Sequence, residues 1–252
     1  MAATPPTPRD RSRASAKTSS AVPVETFEGP RRRLLALGLV LFVSFGHFIA
    51  SSVYYSMGGT VPTNPRQQAA RLLAALIAEA GSLALLWYVL SGQGRTWKNI
   101  GWNLEWMDLL RAGGLVLGSV VGGYVMWYLV QVAYYSYFGH YLTPNSTGGL
   151  LWFDISGLSV AFVCLNPFFE ELIVRGYLMS EILDLGGKGV WAILISIAVQ
   201  MSYHLYQGFA NGIMLTAGFA VFSIYFWRTR RIAPVVLAHL FMDAYAMVRR
   251  SF

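Results

Sequence analysis

Seven long apolar segments dominate the sequence between residues 34 and 248. Each approaches the ~20 residues that an α-helix needs to cross the hydrocarbon core of a bilayer. Because backbone groups in lipid must be hydrogen-bonded inside the protein, such segments predict helices rather than open strands. The predicted helices cover residues 34–55, 69–90, 113–138, 158–183, 190–206, 213–227 and 232–248.

The composition agrees with a membrane protein. Of the 252 residues, 55% are hydrophobic and only 12% are charged, which leaves too little polar surface to cover a soluble globule. We therefore predict an all-α fold, a polytopic membrane helical bundle of about seven to eight transmembrane helices. The net charge of +7 does not indicate a nucleic-acid partner, because the basic residues lie at the ends of apolar segments.

The charges also predict an orientation. Residues 1–30 are rich in Pro, Ser, Thr, Ala and Arg, which predicts a disordered basic tail before one transmembrane helical domain, 31–252. With seven crossings and a cytoplasmic amino terminus, fourteen of the nineteen Lys and Arg residues face the cytoplasm and four face outside. This asymmetry predicts a multi-pass membrane protein with its amino terminus inside. We expect it in a bacterial cell membrane. Residues 97–106, with three Trp, predict an amphipathic segment at the interface.

Two adjacent glutamates, Glu170 and Glu171, lie inside the apolar run 162–177. A carboxylate at bilayer depth costs several kcal/mol unless it is paired or lines a wet cavity, so the pair indicates a functional site. Glu171 and Arg175 are four residues apart, share a helix face and are predicted to form an ion pair. Glu170 points about 100° away and is free to face another group. Pro167 is expected to kink the helix beside them.

Two further helices carry titratable groups at membrane depth. His239 and Asp243 have the same four-residue spacing, and His204 follows the apolar run 193–203. Together with Glu170, these groups could provide a base for water, a partner that positions it and donors for an oxyanion. For Glu170, Glu171 and Arg175 taken alone, the alternative is a purely structural ion pair.

Three short motifs contain these residues. E-E-x-x-x-R spans residues 170–175, H-x-x-x-D spans 239–243, and an F-x-x-x-H motif is met only at His204 because Gln200 replaces the aromatic. In these motifs the chain resembles the CAAX-protease and bacteriocin-processing family of intramembrane endopeptidases (CPBP, also called Abi). The resemblance covers about residues 155–248, which is the predicted catalytic region.

The resemblance implies roles for each residue. Glu170 would be the general base that activates water with His204, while His239 and Asp243 would hold the oxyanion and substrate, with Asp243 orienting His239. Glu171 and Arg175 would support the site. No cofactor is predicted. Zinc is the alternative, with Glu170, His204 and His239 as ligands, although no H-E-x-x-H helix is present.

The resulting hypothesis is an endopeptidase that hydrolyses a peptide bond near the membrane surface. Its substrate would be a peptide or protein, either a prenylated carboxyl-terminal tail or a leader peptide, met among membrane lipids. One alternative is a transporter or ion pathway, which should show inverted repeats. Polar residues within predicted spans cluster in the second half of the sequence alone, which counts against this alternative. The other is a catalytically silent immunity or scaffold protein. Glu79 is expected to be a structural partner of a His or Arg. The sequence predicts no oligomeric state.

Overall fold

The computed structural model describes residues 29–60, 64–142 and 155–249. Within these ranges every regular element is helical, so the all-α prediction is confirmed. A π-helix, Leu172–Met179, joins the fourth and fifth α-helices, and short 3₁₀ helices cover Trp97–Ile100 and Leu205–Gln207. The α-helices are α1 (Pro30–Ser56), α2 (Pro65–Gly92), α3 (Met107–Phe138), α4 (Gly157–Glu171), α5 (Ser180–Asp184), α6 (Gly189–Ser202), α7 (Gly208–Thr229) and α8 (Ala233–Arg249).

Four helical segments are long and apolar enough to cross a membrane: α1, α2, α3 and the continuous helix Gly157–Asp184. Helix α6 is apolar but shorter. The predicted count of about seven to eight crossings is therefore not confirmed, and the residues that the structure describes contain four candidate spans by length and composition. The predicted disordered tail lies outside the described residues, apart from its end, where α1 already begins at Pro30.

Local sequence signals set where helices begin. Asn64 caps α2 by accepting a hydrogen bond from the Arg66 backbone N–H at 2.9 Å, and Pro65 occupies the first helical position. Ser156 and Ser159 form a reciprocal capping box at the start of α4. The polar residues that precede these apolar runs therefore fix the entry point of each helix.

The helix Gly157–Asp184 is the centre of the bundle. Every residue from 169 to 181 is buried, and α4 packs against both α2 and α8. Helix α3 packs against α7 and α8, and α6 packs against α7. Pro167 is accommodated within α4, and the departure from α-helical hydrogen bonding begins five residues later, at Leu172. Such π-helical turns are rare and occur frequently at functional sites.

Residues 97–106 close one end of the bundle. The sequence predicted a segment lying at the interface, but Ile100 is fully buried beneath the central helix. Gly101 has a positive φ of 92°, and a Cβ there would lie 2.3 Å from the Arg230 carbonyl oxygen, so only glycine fits. The Gly101 carbonyl accepts a hydrogen bond from the Ile232 N–H at 3.0 Å. The segment thereby joins α3 to the α7–α8 connection.

Ion pairs surround this closed end. Glu181 is fully buried and is bound by Arg33 at 2.8 Å and by Arg95, which also reaches Asp184 at 3.1 Å. These contacts connect the start of α1, the end of α2 and the end of the central helix. We use the name ionic layer for this cluster together with a second cluster at the same end, formed by Glu105, Asp108, Arg111 and Arg231.

The second cluster of the ionic layer connects α3 to the loop before α8. Asp108 is 2.6 Å from Arg111 and 2.9 Å from Arg231, which also contacts Glu105 at 2.8 Å. Hydrogen bonds from Arg231 and Arg111 hold the pKa of Glu105 below its usual range.

Candidate active site

Glu170 accepts hydrogen bonds from three uncharged side chains. The Asn166 amide lies 3.2 Å from its Oε1 atom, one turn earlier on α4. The Gln200 amide and the Tyr203 hydroxyl lie 3.3 Å and 2.9 Å from its Oε2 atom. The Tyr203 ring stacks on Phe45 of α1 at a centroid distance of 4.8 Å, which fixes the hydroxyl in place. Within residues 29–60, 64–142 and 155–249, the carboxylate is therefore held by neutral donors and not by a cation.

Glu171 has a different environment from its neighbour. It is fully buried, and its Oε2 atom lies 2.5 Å from Arg175, as the four-residue spacing predicted. Its Oε1 atom lies 2.8 Å from Nδ1 of His239, on α8. Arg175 is also fully buried, with Phe222 on its guanidinium face at 5.5 Å. A buried pair with this many partners can compensate the cost of removing both charges from water.

His239 lies between two carboxylates. In addition to the Glu171 contact, its Nε2 atom is 3.5 Å from Oδ2 of Asp243, so the two residues share a helix face as predicted. Both ring nitrogens can donate only when the ring carries two protons. The sequence assigned the orienting role to Asp243, but the shorter contact comes from Glu171.

Gln200 joins the two glutamate environments, and the motif comparison did not identify it as a site residue. Its side chain is fully buried, accepts a hydrogen bond from Arg175 and donates one to Glu170. Asn166 and Tyr203 were missed as well. Of the three, only Asn166 had a sequence signal, because it lies four residues before Glu170 and therefore on the same face.

His204 lies just beyond the end of α6, which stops at Ser202 and not at Tyr206 as predicted. Its Nδ1–H donates to the Gln200 backbone carbonyl at 2.8 Å. In the neutral ring this leaves Nε2 as a hydrogen-bond acceptor. The ring also packs against Phe219 of α7 at 5.2 Å.

One large cavity brings the predicted catalytic residues together. It has a volume of about 1410 Å³, and Glu170, His204, His239 and Asp243 all line it. Its walls are otherwise largely apolar, with residues from α1, α2, α3, α4, α7 and α8. The predicted supporting residues, Glu171 and Arg175, lie behind the wall. Concave, mainly apolar cavities with a few convergent polar groups are typical ligand sites.

The predicted zinc alternative can be compared with the geometry. Glu170, Glu171 and His239 each offer one ligand atom within 4.8 Å of the others, and this group does not include His204. Both Glu171 oxygens are already engaged, one by Arg175 and one by His239. A guanidinium at this position repels a second cation. These three residues therefore fit a metal ion poorly, and we derive no catalytic step from one.

The surroundings of Glu79 differ from those that the sequence predicted. The sequence predicted a His or Arg partner, but both of its carboxylate oxygens lack a hydrogen-bond partner among the residues that the structure describes. The side chain is fully buried in α2. A second carboxyl group therefore lies behind the cavity wall without compensation.

The fold and the cavity define an integral membrane protein of helices with a carboxylate and histidine site at its centre. Residues 152–245 match the family model described as Type II CAAX prenyl endopeptidase Rce1-like. The matched region contains all six candidate residues, and the match confirms the family predicted from the motifs for this carboxyl-terminal part of the chain. No curated protein and no solved structure matched the chain.

Proposed function

We propose that this protein is an intramembrane endopeptidase in which Glu170 activates water for attack on a peptide carbonyl. The proposal rests on where the six candidate residues lie: four line the cavity, and two are buried behind its wall. Glu170, His204, His239 and Asp243 line the cavity, whereas Glu171 and Arg175 form a buried pair behind it. The family match supports endopeptidase chemistry and favours neither the transporter nor the silent scaffold.

The proposed reaction needs a base and an oxyanion donor. Glu170 takes a proton from water while Asn166, Gln200 and Tyr203 hold its carboxylate in position. His204, with Nε2 free to accept, is the second group that contacts the water.

His239 is the proposed oxyanion donor. Glu171 fixes its Nδ1 atom at 2.8 Å, and the 3.5 Å between Nε2 and Asp243 is longer than a strong hydrogen bond. Nε2–H can therefore turn from Asp243 to the developing negative charge on the substrate oxygen. The proton abstracted by Glu170 goes to the leaving nitrogen as the C–N bond breaks. The second proton of the water then passes from the new carboxylic acid to the amine, so the two products are a carboxylate and an ammonium group.

The topology is part of the proposal. Seven crossings result if α6, α7 and α8 also span the bilayer and the helix Gly157–Asp184 crosses once. With the amino terminus in the cytoplasm, the ionic layer then lies at the cytoplasmic surface. The substrate is a peptide, with or without a lipid group, that enters the apolar cavity.

The test is a peptidase assay of the purified full chain in detergent with a peptide library, with and without a chelator. We expect cleavage at defined bonds, unchanged by the chelator. Loss of cleavage with the chelator, restored by zinc, would contradict the metal-free mechanism. No cleavage of any peptide by the folded protein would contradict the endopeptidase proposal itself.

A further inference from the structure

The cavity has its mouth at the end of the bundle opposite to the ionic layer. The lining residues nearest to a helix end come from the start of α2, the segment after α6 and the last turns of α8. They are Pro65, Arg71, Gln207, Tyr245 and Arg249. Tyr245 is 66% exposed, so this end of the cavity is accessible.

The other end of the bundle is sealed. Ile100 is fully buried beneath the central helix, and the Gly101 carbonyl is bonded to the Ile232 N–H at 3.0 Å. Arg33 and Arg95 converge on the buried Glu181 in the same layer. None of these residues lines the cavity, so a substrate has no path to Glu170 from this side.

Charge is distributed very unevenly between the two ends. In the part of the chain that the structure describes, the sealed end carries ten basic residues: Arg31, Arg32, Arg33, Arg95, Lys98, Arg111, Lys188, Arg228, Arg230 and Arg231. The open end carries three, Arg66, Arg71 and Arg249. Lys and Arg near the ends of transmembrane segments are retained on the cytoplasmic side. The sealed end therefore faces the cytoplasm.

We infer that the site takes its substrate from the non-cytoplasmic surface of the membrane. This inference rests on the proposed function and specifies its substrate class: an extended, mainly apolar peptide segment of a chain that has already crossed the membrane. Glu170 lies thirteen residues after the start of α4, which corresponds to a depth of roughly 20 Å at 1.5 Å per residue. An extended peptide spans that depth with about six residues.

The apolar wall fits such a segment. Between the mouth and Glu170 the cavity is lined by Phe48, Leu72, Phe162 and Phe219, which can bury apolar side chains of the substrate. Its two cations, Arg71 and Arg249, lie near the mouth. Their positive charges are complementary to an anionic group on the part of the substrate that remains at the surface.

Sidedness can be measured without any peptidase activity. In a Cys164→Ala background, Tyr245→Cys places a thiol at the mouth and Lys98→Cys places one at the sealed end. With a membrane-impermeant maleimide, we expect Tyr245→Cys to react in intact cells and Lys98→Cys only after permeabilisation. The reverse pattern would overturn the inference, whatever the activity of the protein.

Sealed vesicles then test the substrate class directly. Right-side-out vesicles should cleave a membrane-impermeant peptide, and inside-out vesicles should do so only after detergent is added. Cleavage by inside-out vesicles alone would overturn the inference. If detergent-solubilised protein cleaves nothing, the endopeptidase proposal fails, and the cysteine labelling still decides which way the cavity faces.

Discussion

Carboxylates in the ionic layer and in the cavity have opposite kinds of hydrogen-bond partner. In the ionic layer, Glu105, Asp108, Glu181 and Asp184 each face at least one arginine. In the cavity, the partners of Glu170 among the residues that the structure describes are two amides and a hydroxyl. A carboxylate fully neutralised by arginine is a poor base, whereas one held by neutral donors keeps its capacity to accept a proton. The difference separates the charges that hold helices together from the charge available for chemistry.

Glu171 lies on the boundary between these two environments. It is adjacent to Glu170 in sequence, but its pairing with Arg175 resembles the ionic layer. Its second oxygen contacts His239, which faces the cavity. The comparison therefore predicts that variants of Glu170 affect turnover, whereas variants of the Glu171 pair mainly affect folding.

Replacing Glu170 gives the largest expected effect. Glu170→Gln keeps the size of the side chain but removes the base, and a general base contributes about 10²–10⁴-fold to rate. We expect kcat to fall by that factor, with the melting temperature unchanged, in a peptidase assay of the purified protein. Glu105→Gln is the matched control, because the same change in the ionic layer should leave kcat at the parental value. Comparable kcat for both variants would remove the distinction between the ionic layer and the cavity.

Breaking the buried pair should cost stability. Arg175→Met leaves Glu171 without its cation, and removal of one partner of a buried pair typically costs about 3–5 kcal/mol. Thermal unfolding in detergent should show a much larger loss than for Arg95→Met, after which Glu181 still has Arg33. The double variant Glu171→Leu with Arg175→Met should recover part of the loss. A double variant less stable than Arg175→Met would contradict this account.

Replacing Glu79 should raise the stability of the protein, in contrast to replacing Arg175. It is a buried carboxyl group without a hydrogen-bond partner in the part of the chain that the structure describes, and such a group costs about 1–3 kcal/mol. Glu79→Leu removes that cost and should raise the melting temperature, while Glu79→Gln, which keeps a buried polar group, should raise it less. A lower melting temperature for Glu79→Leu would show that the carboxyl group stabilises the fold.

The smallest effect is expected at the surface of the ionic layer. The hydrogen bond from Arg231 lowers the pKa of Glu105, so the stabilisation is complete above the usual pKa of glutamate. It disappears as the pH falls through the lowered value. The melting temperature of the parent should exceed that of Glu105→Gln slightly near neutral pH, and the two should converge on acidification. A constant difference across the titration would exclude this ion pair as its cause.

Local spacing allowed some of these contacts to be predicted. The four-residue rule gave the Glu171–Arg175 pair and placed His239 and Asp243 on one face. Contacts between distant segments were not accessible in this way, because they depend on how helices rotate against each other. The Glu171–His239 contact joins residues 68 positions apart, and Gln200 reaches Glu170 from another helix.

Helix ends caused the remaining differences. The apolar run around His204 continues past Ser202, so hydropathy alone extends α6 to residue 206. The chain instead turns there, and His204 reaches the cavity from a connecting segment. A regular helix drawn through residue 206 therefore misplaces His204.

The π-helix Leu172–Met179 has a consequence for how insertions and deletions act in this chain. An α-helix rotates by about 100° per residue, and each π-helical turn accommodates additional backbone through i→i+5 bonding. Removing one residue from this segment would turn Glu181 about 100° away from Arg33 while Glu170 kept its place on α4. The length of this segment therefore sets the angle between Glu170 and Glu181 around the central helix, so we expect single-residue insertions or deletions there to be poorly tolerated.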